Sequence, residues 1–316
     1  LPDKFLAAVD LGTNSFHLII AKADKNGSFK VIDRERETIR LGSGSGYDLK
    51  WISPEEIEKA VAILKRFKNL AELYDAELKA VATSAVREAD NNKEFINRIY
   101  TETGIEVEVI DGKREAGLIY KGVQCALPVG NKKVLCADIG GGSSEFISGS
   151  NGEVIFAESV KVGAVRLSKK FFPDFLLTEQ SVKFCEEYIE QQILANSKIN
   201  FSDTFEIAVG ASGTLLSIAA LIHYSRHNNK LKSLNGFSFS LKELGKITAV
   251  VLERKTVEER KLIEGMELKR ADIIPAGLLI LNKTFELFKL KEMIISEYGL
   301  REGIIVEMLS KMKSLI

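Results

Sequence analysis

Two stretches decide the fold: AVDLGTNSFHLI (8–19) and CADIGGGSSEFI (136–147). Laid on one another, both run from small apolar residues through an aspartate, a leucine or isoleucine and a glycine into a short Gly/Ser/Thr/Asn segment and then an apolar run. Each predicts strand, tight loop, strand. A second echo follows at nearly the same spacing, because ETIRLG (37–42) parallels GAVRLS (163–168), each after a strand-like segment, KVIDRE or ESVKVG. Two echoes in the same order point to a duplicated sheet.

Around these landmarks the pattern alternates. Ile57, Val61, Leu64, Phe67, Leu70 and Leu73 recur at helical spacing over 54–74, and ELKAVA then supplies a strand. A helix near 91–103, the alternating strand IEVEVI (105–110) and a helix near 113–124 continue the α/β pattern. ALPVGNKK breaks it at Pro128 and Gly130, and the strand VLCADI follows. The expected organisation is therefore one lobe over 1–128 and a second over 129–300. The second lobe carries helices near 178–195, 214–225, 241–253 and 271–290, then the strand EMIISE (292–297). The last helix, 301–316, packs back on the first lobe.

At 316 residues, 45% hydrophobic, with only five prolines, the chain can bury the cores of two domains. Lys+Arg and Asp+Glu both number 44, so no net field recruits nucleic acid or an anionic membrane, and an anionic ligand must be held locally. The three cysteines, Cys125, Cys136 and Cys185, show no C-x-x-C spacing and read as buried thiols of a reducing compartment. No run reaches about 18 uncharged apolar residues, and the amino-terminal apolar run is too short for a signal-peptide core. The expectation is a cytoplasmic protein.

A glycine-rich turn between strands lets backbone N–H groups converge on an anion. Gly12, Thr13, Asn14 and Ser15 in the first loop, and Gly141, Gly142, Ser143 and Ser144 in the second, are the candidate phosphate ligands. Asp10 and Asp138 end their strands at matched places, where a carboxylate holds a divalent cation that bridges to phosphate, magnesium being the natural choice. The plainer reading of one such loop is a tight hairpin with an Asx-turn, and a matched pair weakens it. Neither loop fits G-x-x-x-x-G-K-[ST] or a helix-opening G-x-G-x-x-G.

The paired loops on a duplicated sheet resemble the actin and hexokinase superfamily, whose members close two ribonuclease-H-like lobes around a central cleft. Within it, VDLGTNSFHLIIA, AVATSAVREADN, REAGLIYKGV, ADIGGGSSEF, VGAVRL, GASGT, RADIIPAG and GLREG are similar, in order, to the exopolyphosphatase/guanosine pentaphosphate phosphohydrolase family. The resemblance spans almost the whole chain and is to the short, two-domain form. It implies an α/β, actin-like ATPase fold and magnesium-dependent release of terminal orthophosphate from inorganic polyphosphate. The alternatives are 5′-phosphate removal from guanosine pentaphosphate, a nucleotide-binding switch, or a non-hydrolytic sensor of polyphosphate or alarmone. A homodimer is a further family expectation.

By the same resemblance, Glu115 is the base or water-positioner, Asp138 and Glu145 are catalytic acids that with Asp10 form the magnesium site, and Gly213 of GASGT lies near the cleft. Arg87, following a strand and a Thr-Ser-Ala turn, is a candidate phosphate fork, the alternative being an ion pair with Glu88 or Asp90. Arg166 and Arg270 are candidates to line the path of a polyanion, or structural ion pairs. Glu115 by itself would read as a first-turn acid complementing a helix dipole. Most family members carry Arg two residues after this Glu; here Gly117 stands there.

Other features read as structure. His223 and His227 are one helical turn apart without a carboxylate or cysteine partner and suit a surface helix end better than a metal site. His17 is either charged beside the phosphate path or a packed strand histidine. ERKTVEERK (253–261) reads as a solvated face, and Trp51 and FELF (285–288) as core.

Overall fold

In the computed structural model, residues 4–24, 27–42, 44, 46–196, 200–201 and 203–313 are described. The run KFLAAVDL forms β1 (Lys4–Leu11), with Leu6, Ala7, Ala8, Val9 and Leu11 wholly buried, as suits a central strand covered on both faces. It is followed by β2 (Ser15–Ala23), β3 (Phe29–Thr38), α1 (Pro54–Leu73), β4 (Glu77–Ala82), α2 (Ser84–Glu88), α3 (Asn92–Thr103), β5 (Val107–Val109) and α4 (Gly112–Ala126). β3 alternates half-buried and exposed positions because it is an edge strand. A capping box starts α1: the Ser53 hydroxyl accepts from Glu56 N at 3.2 Å, and Glu56 Oε2 accepts from Ser53 N at 2.9 Å.

The second half continues with β6 (Val134–Ile139), β7 (Ser144–Ser150), β8 (Glu153–Val160), α5 (Ala164–Phe171), α6 (Glu179–Asn196), β9 (Ile207–Gly210), α7 (Gly213–His227), β10 (Ser238–Ser240), α8 (Leu241–Glu253), α9 (Val257–Lys261), α10 (Ile274–Leu287), β11 (Glu292–Ile295) and α11 (Leu300–Lys313). The chain divides into two compact units, Leu1–Gly122 with Tyr298–Ile316, and Val123–Glu297.

Among the described residues, the first unit's sheet runs β3-β2-β1-β4-β5 and the second's β10-β11-β9-β6-β7-β8. The two orders coincide once β8, β7, β6, β9 and β11 are set against β3, β2, β1, β4 and β5. In each, the first three strands are antiparallel and the next two join in parallel. The duplication seen in the loops therefore extends through both sheets.

In the first unit α11 packs on β1 and β2. It crosses α4 with backbone in contact: a Cβ at Gly303 would overlap the Leu118 carbonyl, and one at Gly122 would overlap Gly299. Glu307 ties α11 to β4 through Lys79 at 2.7 Å and to α4 through Arg114 at 3.0 Å. Burial works to raise the Glu307 carboxyl, but its hydrogen bond from Lys79 and the nearby cations outweigh it and hold the group below the usual range. In the second unit α10 is buried nearly all round, against α5, α6, α7 and α8.

Several expectations are corrected here. Trp51 is half exposed, because its neighbour Ile52 takes the core position. Arg260, inside the run read as solvated, is fully buried and donates to the carbonyls of Ala271, Arg254, Lys255 and Phe175, four bonds that settle a guanidinium in an apolar setting. Cys125 is exposed, whereas Cys136 and Cys185 are buried. GAVRLS opens α5, a helix its echo ETIRLG does not form. No helix among the described residues is long and apolar enough to cross a membrane.

Candidate functional site

In the first unit, β1, β4 and β5 run parallel, so their carboxyl ends share one sheet edge, where open α/β sheets bind ligands. From that edge emerge the loop Leu11–Ser15, the turn into α2 and the turn into α4. Thr83 N donates to Leu11 O at 3.3 Å and Ile110 N to Ala82 O at 3.1 Å, which sews the three exits together.

The first loop is tight because Gly12 has no side chain: a Cβ there would lie 2.9 Å from Ser15 O. Asn14 O accepts from Ile39 N and Arg40 N, both at 3.1 Å, so the residues of the second echo brace the loop. The Asn14 side chain is 7% exposed, yet neither its amide nitrogen nor its oxygen has a hydrogen-bond partner. A buried amide left unmatched is rare and fits a ligand with polar oxygens. Thr13 and Ser15 are buried beside it. Asp10 lies directly across the ladder from His17.

Glu115, 6% exposed in the first turn of α4, accepts from Arg87 Nη1 at 2.9 Å. The same Nη1 donates to Ile110 O at 2.8 Å. Arg87 thus reaches across 28 positions of sequence to Glu115, while Ser84 Oγ donates to Glu88 at 2.9 Å. Glu115 is not a first-turn acid facing solvent but half of a buried ion pair. Gly117 leaves open space where a side chain would project.

The second unit repeats the loop. A Cβ at Gly140 would lie 3.0 Å from Ser143 O, as at Gly12 and Ser15. Its carbonyls are all engaged on one side: Gly140 O by Ala164 N at 2.9 Å, Gly141 O by Val165 N and Arg166 N at 2.9 and 3.0 Å, and Gly142 O by Arg166 Nε at 2.8 Å. Because a trans peptide sets C=O and the next N–H in opposite directions, the amides of Gly141, Gly142 and Ser143 point to the other side, a nest for an anion. Arg166 therefore braces the loop from behind.

Asp138 and Glu145 are register partners on β6 and β7, so their side chains leave the same face of the sheet. Glu145 Oε1 accepts from Ser143 Oγ at 2.8 Å and Ser159 Oγ at 2.7 Å. Ser159 went unnoticed in the sequence; it is Glu145's partner on β8, visible only once the register is known. Ser144 is wholly buried and its hydroxyl donates to Val162 O. Beneath the loop, burial, with Asp138 adding to it, pushes the Cys136 thiol far above its usual range, leaving it an inert packing group.

Gly213 and Arg270 are brought together: a Cβ at Gly213 would collide with Arg270 Nη2. Arg270, 4% exposed, pairs through Nε with Glu267 at 3.1 Å, and Glu267 accepts from Ser217 Oγ at 2.6 Å. Ser212 caps α7, its Oγ accepting from Leu215 N at 3.2 Å and from Ile139 N at 3.3 Å, which joins this helix start to the end of β6. His223 is buried, with Nδ1 at 3.1 Å from Asn229 O, a structural role rather than a surface helix end.

Among the described residues no group of three or more His, Cys, Asp or Glu side chains is set to hold a metal ion. Within the second unit, Asp138 and Glu145 stand as a pair of acids on adjacent strands. That pair still suits magnesium, a hard cation that takes one or two carboxylates and completes its shell with water and substrate phosphate oxygens.

The Ppx/GppA phosphatase family model matches residues 19–312. The chain is similar to a solved Ppx/GppA family member from Aquifex aeolicus, with 31% identity over 98% of this chain and 99% of that one and a TM-score of 0.81. It is also similar to a solved exopolyphosphatase from Cytophaga hutchinsonii, with 30% identity over 98% of each chain and a TM-score of 0.89. With near-full-length agreement in sequence and in fold, the chain belongs to the Ppx/GppA phosphatase family.

Proposed function

We propose that this phosphatase releases terminal orthophosphate from inorganic polyphosphate, with Glu115 positioning and deprotonating the attacking water. The observation that carries the reading is the buried Arg87–Glu115 pair at the same sheet edge as the loop holding the orphaned Asn14 amide. A carboxylate held by a guanidinium is fixed in direction, as a group that must meet one water requires. The similar Cytophaga hutchinsonii protein is an exopolyphosphatase.

Each residue then has a task. Asn14, Thr13 and Ser15 in one loop, and the amides of Gly141, Gly142 and Ser143 in the other, bind phosphate oxygens. Arg87 anchors Glu115 through one nitrogen, and its remaining donors serve the terminal phosphate. Arg270, seated on Gly213, is a phosphate-binding group of the second unit. Water attacks the terminal phosphorus, its proton passes to Glu115, and the anhydride P–O bond breaks to leave a polyphosphate one unit shorter. Asp138 and Glu145 would hold magnesium, which neutralises charge on the phosphate oxygens when bound.

The test is orthophosphate release, with magnesium present, from polyphosphate and from guanosine pentaphosphate. Release from polyphosphate, cut by at least about 10²-fold in Glu115→Gln with the fold retained, is the expected result. Release from guanosine pentaphosphate alone would transfer the same chemistry to that substrate. Near-normal turnover in Glu115→Gln would remove Glu115 from its role.

A further inference from the structure

Asp138 on β6, Glu145 on β7 and Ser159 on β8 are successive register partners, so the three side chains stand in one row on one face of the second sheet. The first sheet has the same row at the same level, but there it reads Asp10, His17 and Arg36. The duplicated fold therefore accepts an arginine at the third place, and nothing in the sheet itself requires a hydroxyl at Ser159. β8 is an edge strand and Ser159 is half-buried, where water can satisfy a hydroxyl. The Ser159 hydroxyl is spent on Glu145 instead.

Glu145 is 1% exposed, and a carboxylate so far from water has to be met by donors. Ser143 Oγ donates to Glu145 Oε1 at 2.8 Å from within the loop, and Ser159 Oγ donates to the same oxygen at 2.7 Å from across the ladder. One hydrogen bond lets a carboxylate pivot about the bonded oxygen. Two bonds, arriving from the loop and from β8, fix its plane and with it the direction of Oε2. Ser143 has a second duty, because its amide belongs to the anion nest. Among the described residues, the Ser159 hydroxyl makes only its bond to Glu145.

We infer that Ser159 is a positioning residue for the hydrolytic reaction: it aims Glu145 at the cation that Asp138 and Glu145 share, and it acts through that carboxylate alone. A carboxylate already fixed gives up little side-chain freedom on meeting a metal ion, so the hydroxyl strengthens metal binding without touching metal or substrate. The inference rests on the reading of Asp138 and Glu145 as the magnesium pair.

The test uses the full chain and Mn2+ alone, a hard cation that takes the same oxygen ligands, with free and bound ion distinguished by electron paramagnetic resonance. Ser159→Ala should weaken Mn2+ binding about fivefold to tenfold, while Ser159→Thr, which keeps a hydroxyl and suits a strand, should stay within about twofold of the parent. Glu145→Gln, with Asp138 left to bind, should lose more than Ser159→Ala, and adding Ser159→Ala to it should cost at most about twofold further. In orthophosphate release, Ser159→Ala should raise the magnesium concentration for half-maximal turnover by the same factor, and excess magnesium should restore the rate to within about threefold of the parent. Parental Mn2+ affinity in Ser159→Ala, or an equal loss in Ser159→Thr, overturns the inference. So does an additive loss on top of Glu145→Gln, the mark of Ser159 meeting the metal itself, or a loss of turnover that excess magnesium does not relieve. Each of these leaves the magnesium pair standing. Unchanged Mn2+ binding in Glu145→Gln removes the magnesium pair, and the role of Ser159 with it.

Discussion

Removing Arg87 tests whether the Arg87–Glu115 pair is scaffold, catalyst or both. Arg87→Met keeps most of the side chain's volume but takes the guanidinium away from a carboxylate that is 6% exposed and deprives Ile110 O of a donor. Breaking a buried ion pair from one side costs about 3–5 kcal/mol. The Arg87 side chain is 22% exposed, so water partly screens the loss and about 2–3 kcal/mol is the better expectation. Glu115→Gln keeps a hydrogen-bond acceptor and should cost about 1 kcal/mol. Because the double variant also removes the charge that Arg87 balanced, Arg87→Met/Glu115→Gln should be more stable than Arg87→Met alone by about 1–2 kcal/mol. Scanning calorimetry reads this as a partial recovery of the melting temperature, at about 2–4 °C per kcal/mol for a domain of this size. Orthophosphate release should not recover, since both groups proposed to act on the substrate are gone. Arg87→Met melting with the parent would refute the buried pair; recovery of turnover along with stability would refute Glu115 as the base.

Three further outcomes follow from the geometry. Glu243 caps α8 and pairs with Arg226, and this hydrogen bond, with the capping contacts of Ser240, depresses its carboxyl to about 2 from an ordinary 4.5. Its stabilisation is complete above about pH 4.5 and is lost as pH falls through 2, so Glu243→Gln should lower the melting temperature at pH 7 and meet the parent curve near pH 2. Gly213→Ala places a methyl group against the tip of Arg270, displacing a guanidinium rather than backbone; stability should fall by less than about 1 kcal/mol, while calorimetry shows tripolyphosphate affinity falling about tenfold. Gly117→Ala meets open space on α4 and should raise stability by about 0.5–1 kcal/mol in chemical denaturation, with turnover unchanged.

Much of the fold could be read locally. The strand–loop–strand repeats were legible because a tight turn demands Gly at one place and small polar residues beside it. The apolar spacing from Ile57 onward announced α1 in the same way. The short helices α2 and α5 were not legible, since helices of their length gain their stability from contacts outside themselves. α5 begins where its first amides find the carbonyls of Gly140 and Gly141. Trp51 and Arg260 were misplaced for a related reason: residue type sets a preference for burial, and neighbours decide it.

The candidate site divides along the same line. Sequence alone determined which residue types stand at the two loops and that the loops are a pair, because backbone geometry in a tight turn is dictated within a few residues. Only the tertiary structure decided that Arg87 belongs to Glu115, that Ser159 and Ser143 share one oxygen of Glu145, that Ser144 turns inward, and that Arg270 rests on Gly213. Those pairings depend on strand register and on which helix lies against which strand end, and such contacts between distant residues leave no periodic trace in the chain. The Asp10 and Asp138 positions were legible; what each faces, His17 in one sheet and Glu145 in the other, is a property of the ladder that holds them.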